Sequence, residues 1–473
     1  MEKTLAQPTD QATQLLNTRP FSGRDKFGYM FGDLGNTLTF STVTTFLMIF
    51  YTNALGISAA IVGVLFLVAR IIDAFADLGV GRLVDNSDLK HDGRFHPWIR
   101  RMKYPLFFVS VLLFLPWVSG LPMSIKVVYI FITYIAWGIL YSTVNIPYGS
   151  MASAISSNPT DKTSLSTFRS IGSAIGTIVV SYFVPVFMYA KGSQQISPMR
   201  LFIIVTICAA GGVIAYTLLG HFTTERVRTE KSENIPLKVV GKKLLEDRAL
   251  IILVTIDILV CVGLFSYMAM VSYLFNDYFK DKGAMAIAMV SMSMATFVLA
   301  PFANKLYKRF GRKEITETFL AFGALMFALL WVLHTHSVMT YLIISFIAAL
   351  GMGMFNLMVW AFITDVIDNE QVETGMREDG VVYGVNSFAR KVAQALAGGV
   401  AGILLSFIGY KTSTSGGALQ TEAVNNSIYQ LAVGIPAVCF GIGALIMFLW
   451  YPLNKKKVDE NAKALAALDQ EQN

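Results

Sequence analysis

Charge is scarce in this chain of 473 residues: only 15% are Asp, Glu, Lys or Arg. Soluble domains average about 25%, so the deficit excludes an ordinary water-soluble enzyme, and a hydrophobic content of 54% points the same way. Cysteine and histidine are scarcer still, at three and five residues. Cys208, Cys261 and Cys439 lie in apolar segments without partner spacing, which excludes a disulfide framework and leaves them as small packing residues. Among His91, His96, His221, His334 and His336 only the last two are neighbours, so no metal centre is expected. A glycine-rich phosphate loop and a nucleophile–base constellation are also missing, which removes the visible chemistry for an ATP-driven pump or an intramembrane hydrolase. No enzyme activity and no cofactor are expected.

What is abundant is apolar sequence in long blocks. A dozen blocks of roughly 20 residues or more match the length that crosses a hydrocarbon core; they are placed at 27–52, 58–82, 102–120, 125–151, 164–190, 200–222, 249–276, 284–306, 315–334, 338–364, 380–410 and 428–452. Residues 1–26 are polar and lack a signal peptide's apolar core, so the first span is expected to serve as an uncleaved insertion signal. Twelve spans use the whole chain and leave no room for a soluble catalytic domain.

The net charge of +7 is a topology signal. Most of the 38 Lys and Arg residues fall in the N-terminal segment, the even-to-odd loops and the C-terminal tail. The positive-inside rule then puts both termini in the cytoplasm of a multi-pass cell-membrane protein whose solvent is the lipid bilayer. Nucleic acid is not an expected partner.

The longest interior hydrophilic stretch divides the spans six and six. The expected organisation is a cytoplasmic segment at 1–26, a six-helix bundle at 27–222, a cytoplasmic linker at 223–248, a second six-helix bundle at 249–452 and a cytoplasmic tail at 453–473. Gly81-Arg82-Leu83-Val84-Asp85 after span 2 and Lys308-Arg309-Phe310-Gly311-Arg312-Lys313 after span 8 are similar basic, glycine-containing stretches at matching places. The fold class is therefore an all-α polytopic membrane protein with twelve transmembrane helices in two pseudo-symmetric bundles. Halves of this kind build the major facilitator architecture, with the substrate site at the midplane between them.

An ionised carboxylate inside a span costs about 2.5–3.5 kcal/mol on insertion scales, so such residues mark ion or substrate pathways. Asp73 and Asp77 in span 2 are four apart and share one helix face, with Arg70 three residues before Asp73. Two converging carboxylates favour protonation of one or capture of a hard monovalent cation, Na⁺ or H⁺. The alternative reading pairs Arg70 with Asp73 structurally. In span 4, Ser142 and Asn145 lie on one face before Pro147, and Pro147 frees a backbone carbonyl. Hydroxyl and amide groups donate and accept, as sugar hydroxyls require.

The stretches Lys26-Phe27-Gly28-Tyr29, Phe66-Leu67-Val68-Ala69-Arg70-Ile71-Ile72-Asp73 and Gly93-Arg94-Phe95-His96-Pro97-Trp98 resemble the melibiose-permease group. This is the glycoside-pentoside-hexuronide:cation symporter family of the major facilitator superfamily. The resemblance covers about residues 24–452, and it implies Na⁺- or H⁺-coupled uptake of a sugar or glycoside. It further implies cation binding by Asp73, Asp77 and Ser142, and a substrate site lined by Arg169, Ser387 and Lys391. The melibiose permease grips a galactoside with two acidic and two aromatic residues. The matching positions here are Thr37, Asn145, Gly149 and Asn356, so melibiose is not the expected substrate.

The span-11 stretch from Tyr383 to Gln394 is similar to family branches that carry xylosides and glucuronides. It places Asn386, Arg390 and Gln394 on one face and Ser387 and Lys391 on the adjacent one. Lys391 is expected to face the cavity with Arg390 paired structurally. Asp365, Asp368 and Arg377 match the charge pairs of the family's cytoplasmic gate. Asp33 and Asp257 lie within spans 1 and 7 without an assigned role. Two other readings remain at this point: a cation-coupled carrier of lysolipid or another amphipathic solute, and a non-transporting sugar sensor.

Overall fold

The computed structural model describes residues 19–85, 87, 92–156, 158–189, 195–226, 247–374, 379–415 and 417–471. With no water in the hydrocarbon core, every backbone N–H and C=O must be satisfied within its own segment, and the helix is the solution this sequence uses. Twelve long helices follow in order: α1 (Gly23–Asn53), α2 (Ala59–Asp85), α3 (His96–Leu113), α4 (Met123–Ile155), α5 (Pro159–Met188), α6 (Pro198–Phe222), α7 (Arg248–Tyr273), α8 (Lys282–Phe310), α9 (Arg312–Leu333), α10 (Val338–Thr374), α11 (Asp379–Phe407) and α12 (Glu422–Trp450). A thirteenth, α13 (Lys455–Glu471), follows them. Side-chain caps fix several starts: Asp247 accepts from the backbone N–H of Ala249 and Leu250, Asp281 from Ala284, and Thr421 from Val424.

Ten of the twelve helices are long and apolar enough by themselves to cross a membrane. The others, α1 and α3, fall short for visible reasons. α1 carries Asp33, Asn36 and a series of threonines among its buried residues, and α3 has Arg100, Arg101 and Lys103 in its first turns. α3 also starts six residues before the apolar block, because Pro97 suits a first helical turn, and it ends before a 3₁₀ turn at Pro116–Gly120. α10 runs ten residues past its apolar block. Its polar end is covered by α13, where the Asn461 amide donates to Asn369 at 2.9 Å. The stretch Gly81–Asp85 is the last turn of α2 rather than a loop.

The packing repeats. α1 lies against α5 and α6 as α7 lies against α11 and α12, and the pairs α3–α6 and α2–α4 recur as α9–α12 and α8–α10. The chain leaving each bundle is tied back in the same way. After α6, the Glu225 carboxylate accepts the backbone N–H groups of Arg94, Phe95 and His96 at 2.7–2.9 Å, beneath Gly93 at φ +103°. After α12, the Lys455 N–H donates to Glu314 beneath Gly311 at φ +101°. A Cβ at either glycine would lie 2.3 Å or less from the carboxylate. The linker expected at 223–248 thus begins as part of the first bundle, held also by Arg226 on Asp25 at 3.0 Å; its residues 227–246 lie outside the described ones.

Between bundles, α2 meets α11 and α5 meets α8. The first contact is backbone on backbone, since a Cβ on Gly402 would sit 2.4 Å from the Ala59 carbonyl and 2.8 Å from the Gly63 Cα. Small residues allow such an approach. The same device works inside the first bundle, where Gly172 and Gly176 of α5 seat against Met30 and Thr37 of α1.

Candidate functional site

A cavity of 760 Å³ lies between the bundles. Its N-terminal wall sets Phe40, Phe66 and Tyr134 beside a ladder of hydroxyls at helical spacing: Ser41, Thr44 and Thr45 on α1, and Ser170, Ser173 and Thr177 on α5. Several of them spend their proton on their own helix. Thr44 donates to the Phe40 carbonyl, Ser170 to Ser166 and Thr177 to Ser173, at 2.9–3.1 Å. The lone pairs left over make this wall rich in acceptors. The C-terminal wall is different, with Met268, Met289, Met292 and Met352, Phe265, Phe297 and Trp360, relieved by Ser293, Thr296, Asn356 and Gln394.

Beside the cavity the charges converge. Arg70 lines it and donates to Asp73 Oδ2 at 3.1 Å, with its guanidinium 5.5 Å from the Phe40 ring centre. Asp73 Oδ1 is buried and makes no hydrogen bond. It lies where only glycine leaves room, since a Cβ on Gly138 would be 2.0 Å away. Asp77 accepts from the Ser142 hydroxyl with one oxygen and pairs with the Lys391 ammonium through the other. The three oxygen-bearing residues expected to hold a cation therefore sit together, and Lys391 of the opposite bundle is inserted among them. Asp73 Oδ1, Asp77 and Ser142 form a hard-oxygen donor set suited to Na⁺ or a proton.

The remaining carboxylates within α1 and α7 are matched in a symmetric fashion. Arg169 of α5 pairs with Asp33 of α1 at 3.1 Å, and Arg390 of α11 pairs with Asp257 of α7 at 3.0 Å. Arg390 also donates to the Asn356 amide oxygen at 3.2 Å. Arg169 stays 44% exposed, 5.5 Å over the Tyr148 ring, whereas Asp257 is fully buried. Sequence reasoning left Asp33 and Asp257 without partners, and their matched places in spans 1 and 7, facing Arg169 and Arg390 in spans 5 and 11, were the available signal.

The other expected substrate residues divide. Asn356 lines the cavity. Thr37 stands behind the wall and bonds the lining Ser173 at 3.2 Å. Asn145 accepts from Asn36, which in turn accepts from the Tyr216 hydroxyl, so it belongs to a polar seam between α1, α4 and α6. Gly149 is exposed on α4 with open space at its Cβ position. Asn386 is fully buried, and neither amide atom has a hydrogen-bond partner. The Ser387 side chain and all of Arg377 lie outside what is described. Of the expected gate carboxylates, Asp365 pairs with Arg312 inside the second bundle, not across the interface.

At the end remote from the termini the bundles are sealed. The Tyr410 hydroxyl lies 3.0 Å from both Asn53 Oδ1 and Asp277 Oδ2. One proton cannot serve two acceptors; turning the Asn53 amide over lets it donate to Tyr410 while Tyr410 donates to Asp277. Thr52 meets the Tyr273 hydroxyl at 2.9 Å, the Ser413 N–H donates to the Thr52 carbonyl, and Thr412 donates to the Gly56 carbonyl. Among the described hydrogen bonds and ion pairs, those between bundles lie at this end, with Lys391–Asp77 the exception nearer the middle.

Comparison with known proteins agrees with this geometry. A sequence profile of the family described as MFS/sugar transport protein matches residues 28–455. The chain is 29% identical to the isoprimeverose transporter of Lactiplantibacillus pentosus, over 98% of this chain and 95% of the relative. It is 30% identical to a glucuronide carrier protein homolog of Escherichia coli, over 93% and 94%. In three dimensions it resembles a bacterial homolog of the lysosomal transporter Spinster (TM-score 0.67, 13% identity, 94% of this chain and 99% of that one) and a D-xylose–proton symporter (0.63, 13%, 91% and 98%). The structural likenesses establish the fold. The sequence relationships establish that this chain belongs to the MFS/sugar transport family, in its glycoside-pentoside-hexuronide:cation symporter group, and is a multi-pass transporter of the bacterial cell membrane rather than an enzyme.

Proposed function

We propose that this protein carries a sugar or glycoside into the cell together with Na⁺ or H⁺, by alternating access with both termini cytoplasmic. The observation that carries the reading is the Lys391–Asp77 pair, which joins the bundles at the oxygens of Asp77 and Ser142. The Lys391 ammonium rests on Asp77, the place a coupling cation would take in this reading. When Na⁺ or a proton takes Asp77, Lys391 is released toward the cavity, where its donors meet sugar hydroxyls or a substrate carboxylate. Cation and sugar then raise each other's affinity, as coupling requires. An entering monovalent cation gains about 2.3 kcal/mol per 100 mV, enough for more than tenfold accumulation of a neutral solute.

The two walls describe the cargo. Hydroxyl acceptors on one side suit sugar O–H groups, and Met268 and Trp360 on the other suit the C–H face of a sugar ring or an apolar aglycone. A volume of 760 Å³ falls within the roughly 300–1,000 Å³ of small-molecule sites and admits a disaccharide or a substituted glycoside. The same apolar wall supports a second cargo, an amphipathic solute such as a lysolipid.

Uptake of labelled xylosides, glucosides, galactosides and glucuronides into energised vesicles, with Na⁺ and H⁺ gradients imposed separately, tests the reading. Accumulation of one glycoside class that collapses with a single gradient is expected. Gradient-independent flux, or competition by lysolipid and by no glycoside, would overturn it.

A further inference from the structure

We propose a second binding site, outside the transport pathway: a recess between α3 and α6 that takes the phosphate of an anionic phospholipid from the leaflet facing the termini. A cavity of 520 Å³ opens where α3 begins and α6 ends, lined by His96, Arg100 and Lys103 on one side and Thr217, Gly220 and His221 on the other. Both helices pack within the first bundle and take no part in the α2–α11 and α5–α8 contacts, so the recess lies on the bundle's outer surface.

The electrostatics ask for an anion. Two carboxylates border the recess, and both are already engaged by groups other than Lys103. Asp92 is paired with Arg100 at 2.7 Å, and Glu225 holds three backbone N–H groups at the start of α3. Lys103 has neither. Its residue is only 4% exposed, it makes no ion pair among the described residues, and its one hydrogen bond is to the Thr217 hydroxyl at 2.6 Å. Thr217 passes its own proton to the Val213 carbonyl, so it is a pure acceptor for Lys103 and cannot neutralise it. The ammonium also lies 5.0 Å from the Tyr104 ring centre, but no anionic acceptor among the described residues balances this shielded charge, which is costly unless an anion supplies one. Gly220 keeps the mouth open, since a Cβ there would meet nothing within 4 Å.

Position identifies the anion's carrier. Lys103 is seven residues into α3, about 10 Å along its axis. Immediately deeper, Tyr104 and Phe108 of α3 and Ile214 and Ile207 of α6 are all exposed, 51–63% each. This apolar strip continues from the recess toward the membrane centre. A phosphodiester in the recess would lay its acyl chains on that strip, and basic pockets between helices are known to capture lipid head groups. A free phosphate would use the recess and leave the strip unused.

The test is native mass spectrometry of the purified full-length protein titrated with phosphatidylglycerol or phosphatidylcholine. Preferential binding of phosphatidylglycerol is expected, weakened about five- to tenfold in Lys103→Met, retained in Lys103→Arg, and unchanged in Lys456→Met, whose side chain is solvent-exposed far from the recess. Phe108→Ala keeps the charge and is expected to weaken the full lipid but not its water-soluble head group, glycerophosphoglycerol. Equal binding of both lipids, or undiminished binding by Lys103→Met, overturns the site. Should Lys103→Met not fold, Thr217→Val and Phe108→Ala carry the test, and unchanged affinity in both overturns it. Stabilisation by inorganic phosphate in lipid-free detergent that matches the effect of phosphatidylglycerol overturns the lipid assignment.

Discussion

The two bundles share a scaffold and differ in chemistry. Each has a carboxylate on its first helix paired with an arginine on its fifth, Asp33–Arg169 and Asp257–Arg390, and each ties the chain leaving its sixth helix beneath a glycine of positive φ. The departures lie in the charged and cavity-lining residues on which the proposed function rests. α2 carries Asp73 and Asp77, while its counterpart α8 contains no Asp or Glu at all. α11 carries Lys391 next to Arg390, while α5 has one basic residue at this depth, Arg169. The N-terminal wall of the cavity carries the hydroxyl ladder beside Phe40, Phe66 and Tyr134, while the methionines are confined to the C-terminal wall. Duplication supplies the shared frame, and asymmetric substitution puts two carboxylates on one half and an extra lysine on the other; in the proposed mechanism these are the cation site and the group the cation displaces.

The sharpest way to break the comparison is to remove the asymmetric carboxylate. Asp77→Asn is expected to abolish gradient-driven accumulation while sugar exchange across the membrane continues, measured as uphill uptake against counterflow in the same vesicles. Normal accumulation at normal expression would exclude Asp77 from coupling.

The next effect separates the symmetric pairs from each other. Asp257 is fully buried, so Asp257→Ala leaves Arg390 beside an empty site and is expected to cost about 3–5 kcal/mol of stability. Asp33→Ala leaves an arginine that is already 44% exposed, and about 1 kcal/mol or less is expected. Thermal unfolding of both variants in one detergent reads the difference. Equal losses would mean that both pairs are structural and that the exposure of Arg169 has no consequence.

Much of this frame was legible in the sequence, and the reasons are physical. Spans announce themselves through apolar length, and the pairing of Asp73 with Asp77 on one face follows from helical spacing plus the high cost of a lone intramembrane carboxylate, while Ser142 joined them only through the family resemblance. Adjacent residues on a helix point about 100° apart, so Arg390 and Lys391 had to take different partners, but spacing did not say which faces the cavity. Lys391 rests on Asp77, Arg390 on Asp257, and neither is among the residues lining the cavity. The partners of Asp33 and Asp257 were out of reach, being 136 and 133 residues away. The hydroxyl wall was hidden because serine and threonine are ordinary residues in packed helices, and their lining role depends on which faces the two bundles leave open. The far-side seal was hidden as well: Asn53, Asp277 and Tyr410 come from three separate segment ends, and no periodicity joins them.

A smaller effect concerns Lys391. Lys391→Ala is expected to weaken sugar binding about ten- to a hundredfold without unfolding the protein, as charge-assisted hydrogen bonds of about 1.5–3 kcal/mol are lost. Equilibrium binding of the glycoside identified by uptake reads it, and unchanged affinity would place Lys391 outside the sugar site.

The smallest expected effects come from the two walls, and they sharpen the comparison most finely because each variant has its own ligand. Thr177 keeps acceptor lone pairs after donating to its helix, so Thr177→Val removes one hydrogen bond to any sugar, about 0.5–1.5 kcal/mol or two- to tenfold in affinity. Met268→Ala removes apolar surface that a free sugar scarcely uses, and about a fivefold loss is expected for a glycoside bearing an apolar aglycone, with little change for the same sugar bearing a methyl group. Measured as a two-by-two set, two variants against two ligands, the losses separate only if the walls divide the labour. Parallel losses in all four combinations would mean that the cargo tumbles in the cavity and that the chemical difference between its walls does not orient it.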